Sequence, residues 1–397
     1  MSARAPLRPL LRAAVVRRPA PPGAAVGFID HRETSARDEH DRASLHDLAV
    51  RLARLKGLPC IGRLDETPRQ ISPAMLYVVA PETLLADEAR ALGITRRDDL
   101  FGGVVAHRVH ATKAIVHSLI PDALVVPAGW REGLPQRVVD VVLPGYSAFS
   151  KRDARRALMR LLADGPVRLK ACNGIGGSGQ WTVDTLHAAD ALLERFDDAE
   201  LGREGLVCEL DLVDSRTFSV GQVDVGACRI SYCGLQRQVP GRSGALIYGG
   251  SELLVVRGEF EDLLRLALPP DVRLAVRQAR WFDNAVGEWL PELIVSRNNY
   301  DVIQGRDRSG RARSAVLEQS WRPGGASAAE ISALEHFDMN GDIGVLRVAA
   351  VERYGTLEAP RGARVHYRGE DPRLGPMVKY TQIDFGEDPT RLFHDCR

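Results

Sequence analysis

The chain is poor in lysine. In 397 residues lysine occurs only at 56, 113, 151, 170 and 379, and arginine carries almost all the other positive charge. Lysine is a compact point charge and arginine a planar fork, so a retained lysine marks a place where the former is wanted. Cysteine is sparse too: Cys60, Cys172, Cys208, Cys228, Cys233 and Cys396 never form Cys-x-x-Cys. That argues against a zinc ribbon or a disulfide framework and for a reducing compartment, the cytoplasm. No apolar run reaches the ~18 residues of a membrane span. A net charge of +1 supplies no field to recruit nucleic acid or an anionic membrane surface.

What is present suits a globular protein, with 45% hydrophobic and 26% charged residues. The length predicts two or three domains. Met1 to Ile29 contains arginines and no acid. Pro6, Pro9, Pro19, Pro21 and Pro22 spoil an amphipathic helix there, so residues 1–24 read as a disordered basic leader rather than a transit peptide. Strand-like runs at Val26–Ile29, Leu76–Ala80 and Phe101–Val105 alternate with helical patterns over Arg42–Lys56 and Thr83–Leu92. This predicts a small α/β unit over 25–110. Thr112–Ile120 reads as a short helix closed by Pro121, and 122–146 as strand and loop. Ser150 with Asp153 opens a capped helix. Asp184–Phe196 and Arg273–Leu290 read as helices, Leu206–Glu209 as a strand, and Thr217–Arg257 as mostly strands. The tail, 341–397, has strand-like runs at Val345–Val351 and Met377–Ile383 and reads as a covering segment or small C-terminal subdomain.

Two stretches carry chemistry. In the first, Val167 to Lys170 is a short strand ending in lysine, followed by Gly174, Gly176, Gly177, Ser178 and Gly179 and then by Trp181-Thr-Val183. A dinucleotide fingerprint needs a helix after its glycines, and a Walker loop needs Gly-Lys-Ser/Thr; neither is here. Two readings remain: a glycine flap whose N–H groups fold around phosphates, or a plain surface hairpin.

In the second stretch, Leu293–Gln304 and Ala315–Glu318 read as hairpin partners. If Ser309-Gly310 are the loop residues, Asp301 stands opposite Glu318. Like charges directly opposite are destabilising without a cation between them, and carboxylates are hard-oxygen ligands suited to magnesium. The competing reading centres the turn one residue away and sends one acid to the other face. Downstream, Arg322 precedes Gly324-Gly325. His107 and His110 read as a structural pair, Cys228 and Cys233 as buried thiols, and Trp181 as core.

Taken in this order, lysine, glycine flap, strand acid and paired acids resemble the ATP-grasp superfamily over about 110–330. The run Leu293–Ser327 with Gly249-Gly250-Ser251 is more specifically similar to one bacterial group within it. The resemblance implies an α/β fold of two lobes clamping ATP, preceded by a Rossmann-like pre-ATP-grasp domain at 25–110. The lobes would be 111–208 and 209–340. Lys113 and Lys170 would contact phosphates, Gly174 to Gly179 would form the flap, and Glu209 would be the hinge acid. Asp301 and Glu318 would bind magnesium, and Arg297 or Arg322 would stabilise the transferring group. The sequence departs from the family pattern in three places. Arg216 and Thr217 stand where a ribose acid is expected, leaving Asp211, Asp214 or no acid for that place. Ser320 replaces a metal-binding asparagine. The Asp301–Glu318 hairpin is longer than usual.

The implied activity is an ATP- and magnesium-dependent ligase that activates a carboxylate as an acyl phosphate. A kinase of a hydroxyl substrate and a non-catalytic nucleotide-binding protein are the alternatives. The expected partner is a small molecule bearing a carboxylate, with no nucleic acid and no membrane; a homodimer is left open.

Overall fold

The structure is a computed structural model that describes residues 23–30, 39–65, 75–174, 179–240, 246–372, 374–384 and 390–393. Residues 1–22 of the expected leader lie outside them, as do Gly176, Gly177 and Ser178 of the expected flap.

The N-terminal unit is built from β1 (Ala25–Phe28), α1 (Glu39–Lys56), β2 (Cys60–Arg63), β3 (Leu76–Val79), β4 (Leu84–Leu85), α2 (Ala86–Ala91), β5 (Leu100–Phe101) and β6 (Gly103–Val105). Its parallel sheet runs β2-β1-β3-β5. Helix α1 begins with Glu39 and Asp41 and ends with Arg54 and Lys56, charges that suit its dipole. Leu45, Leu48 and Leu52 are its buried stripe. The helix expected over Thr83–Leu92 gives its first residues to β4, so only α2 is helical.

The first lobe contains α3 (Gly133–Val138), β7 (Gly145–Ala148), α4 (Lys151–Leu161), β8 (Val167–Ala171), β9 (Gln180–Val183), α5 (Leu186–Leu193), α6 (Asp198–Glu204) and β10 (Leu206–Leu210). Its antiparallel sheet runs β7-β10-β8-β9. Ser150 caps α4 by accepting from the Asp153 N–H at 3.1 Å. Two expectations are corrected here. The helix expected over Thr112–Ile120 is a single 3₁₀ turn, Lys113–Val116. Beyond it Leu119 bridges to Ser147 of β7, and that pairing holds the chain extended. The loop expected over 122–146 contains α3, whose Leu134 and Val138 are buried in the main core.

The second lobe comprises β11 (Val213–Val225), β12 (Cys228–Pro240), β13 (Leu246–Arg257), α7 (Phe260–Leu264), α8 (Pro270–Trp289), β14 (Ile294–Val295), β15 (Arg297–Arg306), β16 (Ala312–Ser320) and α9 (Ser327–Met339). The tail adds β17 (Val345–Tyr354), β18 (Arg364–Asp371) and β19 (Gly375–Asp384). The tail is not a cover. Its strands extend the lobe's sheet, which runs β16-β15-β11-β12-β13-β17-β19-β18. The alternation of β13 shows how the sheet is filled. Leu254 and Val256 pack with Phe282 of α8 on one face, and Leu253 and Val255 pack with Phe337 of α9 and Leu52 of α1 on the other. β14 pairs with β6 and so ties the N-terminal unit to this lobe. Among the described residues no helix is long and apolar enough to cross a membrane.

Candidate functional site

The β15–β16 hairpin positions the two acids. Its tip is a loop of Asp307 to Arg311, with the Asp307 carboxylate accepting from the N–H groups of Ser309 and Arg311 at 3.0 and 3.1 Å. Gly310 takes the left-handed φ of 81° that the turn requires. Arg306 therefore pairs with Ala312, and Val302 with Val316. The strands are thus one residue out of the register expected with Ser309-Gly310 as the loop. A β-bulge then inserts Leu317, and beyond it Asp301 pairs with Glu318 and Asn299 with Ser320. The acids face each other as expected, by a route the sequence reading did not contain.

Around this pair the cations converge. Lys113, at the head of its 3₁₀ turn, places Nζ 2.7 Å from Glu318 Oε2 and donates to the Gly174 carbonyl at 3.2 Å. Lys170, near the end of β8, is buried and ion-paired with Glu209. Lys170, Glu209, Asp301, Glu318 and Arg322 all line one cleft of about 990 Å³ between the lobes. Gly325 at its edge approaches Tyr248 so closely that an added Cβ would lie 2.4 Å from the ring and hydroxyl.

The electrostatics follow from burial and neighbours. Burial, and then the Glu318 charge, push the Asp301 carboxyl up to about 6. Asp301 Oδ1 accepts from Asn299 and Gln236, both at 2.9 Å, which moderates the rise. Burial works against the Glu318 charge as well, but Lys113 and Lys170 outweigh it and hold that carboxyl below its ordinary value. The same contact raises Lys113 against its own burial. Glu209 is brought down to about 2: burial opposes the shift, and Lys170 and His117 win. His117 Nε2 stands 2.9 Å from Glu209 Oε2.

Several expected site residues are engaged elsewhere. Arg297 lines the cleft but has no free face. Its Nη2 donates to Glu330 at 2.7 Å, and its Nη1 donates to the carbonyls of Arg322 at 2.6 Å and Ser320 at 3.3 Å. Its charge is neutralised within the protein by Glu330, and its contacts with the Ser320 and Arg322 carbonyls tie it to that segment. Asp211 accepts from Arg168 Nε at 2.8 Å, and that ion pair occupies the acid expected for ribose. Glu209 lies within β10 rather than at its end. Arg322 is more open, with Nε 3.6 Å from Glu82 and Nη1 on the Pro323 carbonyl. The Ser320 hydroxyl lies 3.5 Å from Arg297 Nη1. Trp181 packs edge-on against Phe196. His110 Nε2 lies 2.8 Å from the Gly129 carbonyl oxygen, consistent with a structural pair.

Asn299, Gln236 and Ser219, none of them among the residues expected from the sequence, surround Asp301. Asn299 was findable, because it is two residues from Asp301 and shares its face. Gln236 and Ser219 come from β12 and β11 and require the register of two further ladders.

The acid pair fits a divalent cation. Two carboxylates in one cleft, one of them raised by burial and then by its neighbour's charge, form an oxygen donor set that such an ion relieves. Among the described residues no three His, Cys, Asp or Glu side chains are placed to hold a metal ion together, so the cleft offers two acidic ligands and no closed cage.

The profile of a family described as "Protein of unknown function (DUF3182)" matches residues 28–381. No curated protein matches. Among solved structures, phosphoribosylamine–glycine ligase from Thermotoga maritima is 13% identical, with a TM-score of 0.51 over 94% of this chain and 96% of that one. D-alanine–D-alanine ligase from Bacillus anthracis complexed with ATP is 12% identical, with a TM-score of 0.44 over 79% and 95%. D-alanyl-alanine synthetase A from Vibrio cholerae is 9% identical, with a TM-score of 0.43 over 81% and 99%. The fold is the two-lobed ATP-grasp fold with a preceding α/β domain.

Proposed function

Because the chain belongs to the DUF3182 family and carries the ATP-grasp fold, we propose that it is an ATP- and magnesium-dependent ligase that activates a carboxylate. The observation that carries this reading is the convergence of Lys170, Glu318 and Asp301 on one cleft, with Lys113 in contact with Glu318. Lys113 and Lys170 would offset triphosphate charge, released from Glu318 and Glu209 as the ligand's phosphates take their place. Asp301 and Glu318 would hold magnesium, which when bound would draw charge from the transferring phosphoryl group. Arg322 would contact that group from the cleft edge. The substrate carboxylate would attack the γ-phosphorus and expel ADP. An amine or similar nucleophile would then attack the acyl carbon and expel phosphate. No side chain acts as a nucleophile; the protein positions and neutralises charge.

Hydroxylamine supplies the test. With ATP, magnesium and a panel of amino acids, dicarboxylates and peptides, an acyl phosphate gives a hydroxamate together with ADP. ADP release that yields a phosphorylated hydroxyl product and no hydroxamate would make the protein a kinase. The serine at 320 and the lack of a ribose acid at the expected place, with Asp211 held by Arg168, favour a third reading, a non-catalytic nucleotide binder. ATP binding by calorimetry with no ADP release over hours would decide for it.

A further inference from the structure

The cleft does not end at the acid pair. It continues past Gly324 and Gly325 to a second polar wall built from α1, β17, β18 and β19, where Asp41, Asp47, Glu352, His366 and Lys379 reach it. Glu352 and Lys379 face each other across the β17–β19 ladder, with Lys379 Nζ 3.1 Å from Glu352 and 3.4 Å from Asp41. Tyr354 donates to the other oxygen of Glu352 at 2.8 Å. His366 sits where the β18–β19 register slips between Val365 and Tyr367, an irregularity of the kind that re-aims a side chain. Its side chain is 4% exposed, with Nδ1 3.0 Å from Asp47 Oδ2. Among the described residues neither ring nitrogen makes a well-aligned hydrogen bond, and none lies within bonding reach of Nε2. A buried polar atom without a partner costs free energy unless something else satisfies it.

We propose that this end of the cleft is a binding subsite for a nitrogen cation, the protonated amine or guanidine of a second substrate. The wall presents three carboxylates, Asp41, Asp47 and Glu352, against one ammonium, Lys379. Arg51 and Arg364 also touch Asp47, but Arg51 is fully buried behind it and both are shared with Glu335. An incoming anion would meet those carboxylates, and Lys379 is already claimed by two of them. An incoming N–H cation finds Asp41, Glu352 and His366 Nε2 as acceptors. At the opposite end Arg168, Lys170 and Arg322 stand beside Glu209, Asp301 and Glu318, so cations there match the acids in number, whereas at this end acids exceed them. A cleft polarised this way suits phosphates at one end and an amine at the other. The link to catalysis rests on the ligase reading; the subsite itself does not.

Calorimetry on the full chain tests it, with n-butylamine as the cationic probe, butanoate as its anionic counterpart, and magnesium-ATP titrated separately. Butylammonium is expected to bind and butanoate not. Glu352→Gln and His366→Phe should each weaken butylammonium by about tenfold, the scale of one charge-assisted hydrogen bond, while ATP affinity stays within about twofold. Lys379→Met should tighten butylammonium binding, an opposite sign that misfolding cannot imitate. Preferential binding of butanoate, no binding of butylammonium, or an affinity indifferent to all three substitutions would overturn the subsite. Butylammonium binding without any ATP binding would leave the subsite standing and sink the ligase reading.

Discussion

Glu318 faces Asp301 because Leu317 is the extra residue of a β-bulge. Without divalent cation the pair is held against its own repulsion, and burial with that repulsion pushes Asp301 up to about 6. Asp301→Asn removes the repulsion. At pH 7 and with a chelator present, it should stabilise the fold by roughly 1–2 kcal/mol, read as a rise in Tm. Magnesium should raise the Tm of the parent protein and leave that of this variant unchanged. A lower Tm for Asp301→Asn in chelator would show that the two acids do not oppose each other.

Glu318→Gln keeps an oxygen for Lys113 and removes one anionic ligand. ADP release should fall by at least a hundredfold, while Tm changes by only a few degrees. Full turnover in this variant would remove Glu318 from the reaction.

The Lys170–Glu209 pair gives a pH signature. Glu209 is drawn from an ordinary 4.5 to about 2 in the folded chain, against its own burial, by Lys170 and His117. A carboxyl lowered on folding contributes stability that is complete above about 4.5 and is lost as pH falls towards 2, roughly 2–3 kcal/mol in all. Lys170→Met should destabilise the protein by about 3 kcal/mol at neutral pH and flatten this acid limb. Urea unfolding at pH 7, 4 and 3 measures both. An unchanged acid limb in Lys170→Met would assign the lowering to His117.

Arg297 and Glu330 separate a structural role from a catalytic one. Breaking the pair with Arg297→Met should cost about 3–5 kcal/mol, because Glu330 is left as a buried charge with the Tyr232 hydroxyl but no cation beside it. Adding Glu330→Leu to that variant should recover a large part of the loss. If Arg297→Met abolished ADP release while leaving the unfolding midpoint in place, the guanidinium would belong to the chemistry after all.

Much of this was legible in the residues. The lysine at the end of a short strand, the glycines after it and the two acids on a later hairpin were visible because each is local and periodic. Lys113 and Lys170 stood out in a chain that otherwise uses arginine. The turn register was not legible. Asp307 folds its carboxylate over the loop and shifts the centre by half a residue, and nothing in Leu317 announces that it restores the pairing. The roles of Arg297 and Asp211 were hidden for a different reason. Each is decided by a partner distant in sequence, Glu330 or Arg168, and a sequence read locally does not assign partners. The tail's strands had strand composition, but their place beside β13 depends on long-range register.

That placement has a consequence for how the molecule can be cut. β17 occupies the side of β13 that would otherwise be an open row of backbone donors and acceptors. A product ending at Asn340 would present Leu253-Leu-Val-Val256 as a bare, apolar sheet margin, the kind of surface that recruits another chain. Premature termination or proteolysis in 341–344 would therefore yield an adhesive species rather than a smaller folded one, and the final strands act as the molecule's safeguard against self-association.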